Sequence, residues 1–280
     1  MREEPFSVPV GGGELAGHRG GDGPPALILH GGPAWPDYTE GLAAELDGLL
    51  QTHRYTQRGT LPSTVGGPYT IEAHMDDAVA VLDHFEIERA WVVGHSWGGH
   101  LALHLVVAHP DRMLGVICVN ALGAFDRVFA EFGANLRRTM RPEDVARIDE
   151  IEEDRRRGDV TEAALVERSQ LVWPRYFADP DAAPPHPAGR IGVECSTGTN
   201  ASISDHFNRF TLATGLPSAK LPALFLHGER DPLPVSSSLE AAALVPGAWV
   251  ETIPDCGHFP WMERPGEIRR AAEHFLPTPE

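Results

Sequence analysis

The chain has 280 residues, 42% of them hydrophobic and 22% charged, and a formal net charge of −17. That acidity argues against a nucleic-acid backbone or an anionic membrane surface as partner, since both demand a cationic face. The length suits one large core carrying an insertion, or two small domains.

In chain order, Met1-Arg2-Glu3-Glu4-Pro5 has no apolar core, so neither a secretory leader nor a membrane span is expected. Residues 6–10 and 14–18, around Gly11-Gly12-Gly13, predict an opening hairpin. Ala26-Leu27-Ile28-Leu29-His30 predicts the first buried strand, followed by Gly31-Gly32-Pro33. A helix is expected over 39–51, with Leu42, Leu46, Leu49 and Leu50 inward, then a strand over 53–57 ending at Arg58-Gly59. A second helix over 70–85 leads to a short apolar strand, Ala90-Trp91-Val92-Val93, and a helix over 99–109 that Pro110 ends. Strands are expected at 115–120, 223–227 and 248–253, with helices near 236–244 and 265–275. Short apolar runs alternating with helical patterns signal a mostly parallel, doubly wound sheet covered by helices.

Between Ala121 and Leu221 that rhythm stops. The segment carries helical patterns over 125–139, 143–157 and 161–172, then a proline-rich stretch over 180–187, and no buried type of strand. Within it, Arg155-Arg156-Arg157 directly after Glu152-Glu153-Asp154 reads as a solvated helix end. The expectation is a helical cap, residues 122–219, inserted into a core made of 1–121 and 220–280. Long insertions at the functional end of a sheet often serve as lids.

The chemistry is concentrated at Gly94-His95-Ser96-Trp97-Gly98. A serine between two glycines, after a buried strand and before a helix, is how a sharp turn exposes a nucleophile. A hydroxyl needs a base within hydrogen-bond reach and a carboxylate to orient that base. Asp231, in the loop after the 223–227 strand, and His258, after the last strand, stand in the chain order serine, acid, histidine. Asp255, three residues before His258, is the rival acid, and Glu229 shares the Asp231 loop. His95 is expected to support the turn and His227 to pack. The oxyanion formed on attack needs backbone N–H donors. Trp97 is one candidate, and the other lies in the Gly31-Gly32-Pro33 loop, where glycine lets the backbone approach a substrate closely, Pro33 has no N–H to offer, and Gly32 is favoured over Gly31. His100 and His104 lie four apart on one helix face, but no third ligand accompanies them, so no metal is expected. No phosphate loop or dinucleotide motif occurs, and no cofactor is expected. Cys118, Cys195 and Cys256 are odd in number and form no metal-spaced pair, which suits reduced thiols in a cytoplasmic protein.

Taken together, His30-Gly31-Gly32-Pro33, Gln57-Arg58-Gly59, Gly94-His95-Ser96-Trp97-Gly98-Gly99 and the helical insertion resemble the α/β-hydrolase superfamily across nearly the whole chain. Within it they are most similar to the proline iminopeptidase-like hydrolases. The resemblance implies an α/β-hydrolase fold with a cap, the triad Ser96, Asp231 and His258, and Gly32 and Trp97 as oxyanion donors. Two positions depart from the family pattern, which has glycine at Ala34 and aspartate at Thr56. Iminopeptidases hold a free substrate amine with cap carboxylates, and Glu194 is the position offered here. The expected activity is hydrolysis of a small-molecule ester or amide. Aminopeptidase, carbon–carbon or thioester hydrolysis, and a ligand-binding signalling protein of the same fold stay open.

Overall fold

The computed structural model describes residues 2–187 and 189–277. Its strands are β1 (Glu3–Val10), β2 (Gly13–Gly20), β3 (Pro25–Leu29), β4 (Gln51–Tyr55), β5 (Ala90–His95), β6 (Met113–Val119), β7 (Ala223–Gly228) and β8 (Trp249–Ile253). They form one sheet in the order β1-β2-β4-β3-β5-β6-β7-β8. β1 pairs antiparallel with β2, and β2 with β4; every other pairing is parallel. The helices are α1 (Glu40–Glu45), α2 (Ile71–His84), α3 (Trp97–Ala108), α4 (Arg127–Arg138), α5 (Pro142–Arg157), α6 (Glu162–Val172), α7 (Val193–Asn208), α8 (Thr211–Gly215), α9 (Ser236–Leu244), α10 (Pro260–Glu263) and α11 (Glu267–Phe275).

The central strands are apolar on both faces because both faces are covered. Leu27, Leu29, Val92, Cys118 and Phe225 pack with α2 and α3 on one side. Ile28, Trp91, Val93, Ile117 and Leu226 pack with α1 and α11 on the other. Each fully buried leucine or isoleucine contributes roughly 1.5–3 kcal/mol relative to exposure. Register sets the functional edge: Leu29 pairs with Gly94, His95 with Val119, and Val119 with Leu226. The loops leaving β3, β5, β6 and β7 therefore emerge side by side.

Between β6 and β7 lie α4 to α8, with no strand among the described residues. Two small clusters hold this insertion together, one around Ile151, Leu165 and Ile191, the other around Leu136, Ile148 and Val172. Its end joins the main core through Ile203, Phe207, Leu212 and Leu216. No helix among the described residues is long and apolar enough to cross a membrane.

Three local expectations are corrected. The first helix stops at Glu45 instead of running to residue 51, because Gly48 turns the chain at φ 75° and Gln51 already pairs with Pro25. The strand expected at 53–57 lies two residues earlier. α7 was not expected at all, since Ser196, Thr197, Gly198, Thr199 and Asn200 are weak helix formers. It forms because Ile203 and Phe207, one turn apart, bury against the core.

Candidate active site

Ser96 sits between β5 and α3 with φ 57° and ψ −120°, a conformation that costs a non-glycine residue about 1–3 kcal/mol. The turn is held by the Ser96 N–H donating to the Val119 carbonyl (3.1 Å) and the Leu122 N–H donating to the Ser96 carbonyl (3.0 Å). Its glycines permit close backbone contact. A Cβ at Gly94 would stand 2.2 Å from the Gly98 oxygen, and one at Gly98 would stand 2.0 Å from the Leu29 oxygen.

Asp231 and His258 meet although 27 residues separate them: His258 Nδ1 lies 2.6 Å from Asp231 Oδ2. Asp231 Oδ2 also accepts from the Asn120 amide at 2.5 Å, and Oδ1 accepts from the Leu233 N–H at 2.8 Å. Asn120, just after β6, has φ 46° and so swings its side chain toward the Asp231 loop. The His258 backbone is fixed from two sides. Its N–H donates to the Tyr176 carbonyl at 2.7 Å, and its own carbonyl accepts from His95 Nε2 at 2.7 Å. Tyr176 also stacks on the imidazole, with centroids 4.9 Å apart. Burial disfavours the imidazolium and holds His258 below its ordinary value of 6.5, so the ring is neutral at neutral pH and free to accept a proton. Burial opposes the Asp231 charge, while His227, Asn120 and the Leu233 N–H support it. Asp255, by contrast, is 59% exposed and paired with Arg230 at 2.8 Å, and Glu229 bonds Thr252 at the surface.

The loop after β3 is built as a relay. The Gly31 N–H donates to the Tyr38 oxygen (2.9 Å), and the Tyr38 hydroxyl donates to His95 Nδ1 (2.8 Å). His95, fully buried and held well below 6.5 by desolvation, then reaches the His258 carbonyl. The Gly31 N–H is thus occupied, whereas the Gly32 and Trp97 N–H groups have no acceptor among the described residues. The Trp97 indole donates to Gln57 Oε1 (2.8 Å), and Gln57 Nε2 donates to the His30 carbonyl (2.8 Å). Arg58 grips Asp77 of α2 with two bonds of 2.6 and 2.7 Å, anchoring the loop after β4 that carries Gln57.

Ser96 and His258 open into one cavity of about 350 Å³, whose walls include Gly32, Trp35, Phe132, Leu136, Leu165 and Tyr176. Three arginines, Arg137, Arg155 and Arg168, and one carboxylate, Glu152, also line it. Glu194 does not: it lies on the exposed face of α7. His227 packs as expected, with its nitrogens bonded to Ser238 Oγ and the Leu233 carbonyl, both at 2.8 Å. His100 and His104 stand 3.2 Å apart, buried, with His100 Nδ1 bonded to the Gly123 carbonyl. Among the described residues no group of three His, Cys, Asp or Glu could hold a metal ion.

Sequence reasoning missed Tyr38, Asn120 and Tyr176, which reach the site only through tertiary contact. It also read Glu152 and Arg155 as part of a solvated helix end. Only Arg156 and Arg157 of the three arginines are so placed, whereas Glu152 and Arg155 face the cavity. The signal was the spacing: 148, 152 and 155 repeat at the helical period, and Ile148 is buried.

Comparison with known proteins follows the same lines. A family model described as the alpha/beta hydrolase fold matches residues 24–265. A 2-hydroxymuconate semialdehyde hydrolase from Pseudomonas putida is 28% identical over 279 residues, covering 92% of this chain and 89% of that one. A proline iminopeptidase from Elizabethkingia meningoseptica is 27% identical over 184 residues, 62% of this chain and 59% of the other. Among solved structures, an alpha/beta fold family hydrolase from Bacillus anthracis strain Sterne superposes with a TM-score of 0.75 at 18% identity, covering 99% and 100% of the two chains.

Proposed function

The chain belongs to the alpha/beta hydrolase family, a family of hydrolytic enzymes, and from that premise we propose a serine hydrolase that cleaves a small ester or amide through an acyl-enzyme. The observation that carries this reading is the buried 2.6 Å bond between His258 Nδ1 and Asp231 Oδ2, at the sheet edge where the Ser96 turn stands. In the reading, Ser96 Oγ attacks the substrate carbonyl carbon as His258 Nε2 takes the hydroxyl proton. The carbonyl oxygen becomes an oxyanion that accepts from the Gly32 and Trp97 N–H groups, at the N-terminus of α3 where the helix dipole favours negative charge. Collapse breaks the bond to the leaving group, which receives the proton from His258. Water then attacks the acyl-Ser96, with His258 again as base, and releases the acid and the free serine. Asp231 keeps Nδ1 protonated and stabilises the transient imidazolium.

Residues 122–219 serve as the cap over a core of 1–121 and 220–280. That role is supported by the insertion residues on the cavity wall and by Tyr176 against His258. A free substrate amine fits poorly. The cavity's carboxylate, Glu152, is already bonded to Arg168, and Glu194 lies outside. The test is turnover of p-nitrophenyl esters of short acids against aminoacyl anilides with free and acetylated amines. Ester turnover with no free-amine preference is expected. A strong free-amine preference would replace this reading with an aminopeptidase.

A further inference from the structure

The cavity shared by Ser96 and His258 is cationic in a chain whose formal net charge is −17. Arg137 on its wall is 43% exposed and neutralised by Asp149 at 2.7 Å. The inner pair, Arg155 and Arg168, share a single carboxylate. Glu152 bonds Arg168 Nε through one oxygen and lies 4.0 Å from Arg155 Nη1 through the other. Arg155 Nη2 rests on the Ser196 carbonyl and hydroxyl at 3.3 and 3.2 Å. Two guanidiniums therefore face one carboxylate, and Arg168 Nη1 and Nη2 have no acceptor among the described residues.

A half-buried cation without its counter-charge is costly, and an apolar side chain would fill such a wall more cheaply. Desolvation pulls Arg155 below arginine's ordinary value, with Glu152 opposing that pull. The excess charge is also felt, across the cavity wall, at the ring that packs on His258. Burial pushes the Tyr176 phenol up to about 12, the Arg168 charge pulls against it, and Tyr176 is the ring stacked on His258. A guanidinium fork binds a carboxylate bidentately, and two guanidiniums against one carboxylate leave a surplus that a singly charged carboxylate balances. The remaining wall, with Phe132, Leu136, Ile148 and Leu165, suits a short hydrocarbon chain.

We propose that the substrate carries a carboxylate, held by Arg155 and Arg168 at the end remote from the bond that Ser96 attacks. This rests on the serine hydrolase reading and names its substrate class: small half-esters or amides of dicarboxylic acids, with the charged end under α5 and α6. Glu152 restrains the positive field without cancelling it.

The experiment compares kcat/KM for mono-p-nitrophenyl glutarate and for its neutral methyl ester, read as p-nitrophenol release. The half-ester should be preferred by about tenfold to a hundredfold, as expected of one or two charge-assisted hydrogen bonds. Arg155→Gln and Arg168→Gln should each collapse that ratio, and Arg155→Lys should keep part of it. Glu152→Gln should raise it, an effect opposite to that of simply loosening a structural ion pair. A wild-type ratio near one, or a fall with Glu152→Gln, would overturn the proposal while leaving the hydrolase reading intact if both esters are cleaved. Should neither ester be cleaved, the hydrolase reading fails, and calorimetric binding of glutarate to the Ser96→Ala protein decides the anion site separately. Binding weakened about tenfold or more by Arg155→Gln supports the site; no binding, or binding that Arg155→Gln does not change, refutes it.

Discussion

Asp231→Asn removes one charge and leaves the side-chain shape unchanged, so its effect follows from the hydrogen bonds alone. Oδ1 accepts from the Leu233 N–H, and Oδ2 accepts from both Asn120 and His258. In the variant the fixed Leu233 backbone N–H holds the amide oxygen at the Oδ1 position, which turns the amide NH2 toward His258 and toward Asn120, whose buried, unpartnered Oδ1 can turn to accept it. Two donors then face each other at 2.6 Å unless His258 moves its proton from Nδ1 to Nε2. That tautomer presents a donor to Ser96 and cannot act as base. The expected loss is about 10⁴ in kcat, on the order of 5 kcal/mol, with KM little changed. Asp255→Asn is the control. That carboxylate is 59% exposed on surface arginines, so its loss should change kcat by less than about fivefold, in line with an exposed pair of at most about 1 kcal/mol. Steady-state kinetics on a p-nitrophenyl ester, with circular dichroism to show that both variants fold, gives the comparison. Equal effects, or a larger one at Asp255, would refute the reasoning.

Three further outcomes are expected. The acid limb of log kcat/KM should titrate below 6.5, because burial favours neutral His258 and activity is lost only as the ring takes its proton; a limb centred above 7 would contradict this. Acid should destabilise the fold. Desolvation lowers His74 to about 3 and His100 to about 4, so below pH 6.5 the unfolded chain binds protons that the native one refuses. The stability present above pH 6.5 is then lost as pH falls, by about 2 kcal/mol for each ring at pH 5. Urea unfolding at pH 7 and pH 5 should show that difference shrink by one such increment in His74→Gln, and an unchanged difference would argue against it. Tyr38→Phe cuts the link between the Gly31 N–H and His95, and should lower kcat by about tenfold with KM nearly constant; an unaltered kcat would show that the relay does not position the site.

Much of this was legible because the sheet leaves a double record. Residues 26–29, 90–93 and 223–226 are apolar at every position, as strands buried on both faces must be, and each is followed by a loop bearing polar or glycine residues. Knowing that parallel strands end at one edge places Ser96, Asp231 and His258 together without any contact information. What lay beyond reach was set by packing. α7 has no intrinsic helical preference and exists through Ile203 and Phe207. Tyr176 reaches His258 from the insertion, 82 residues upstream in the numbering of the chain. The run Glu152 to Arg157 looks uniformly solvated in one dimension, yet winding it at 3.6 residues per turn sends Glu152 and Arg155 inward and Arg156 and Arg157 outward. Glu194 illustrates the reverse: the family pattern suggested a site residue, and α7 presents it to solvent.

The central claim is that Ser96 is the nucleophile activated by His258 and Asp231. A fluorophosphonate probe, followed by peptide mass spectrometry, tests it directly. The native protein should be labelled at Ser96, Ser96→Ala should remain unlabelled and inactive, and His258→Ala should be labelled far more slowly. Labelling at another serine, or an active Ser96→Ala enzyme, would contradict the account.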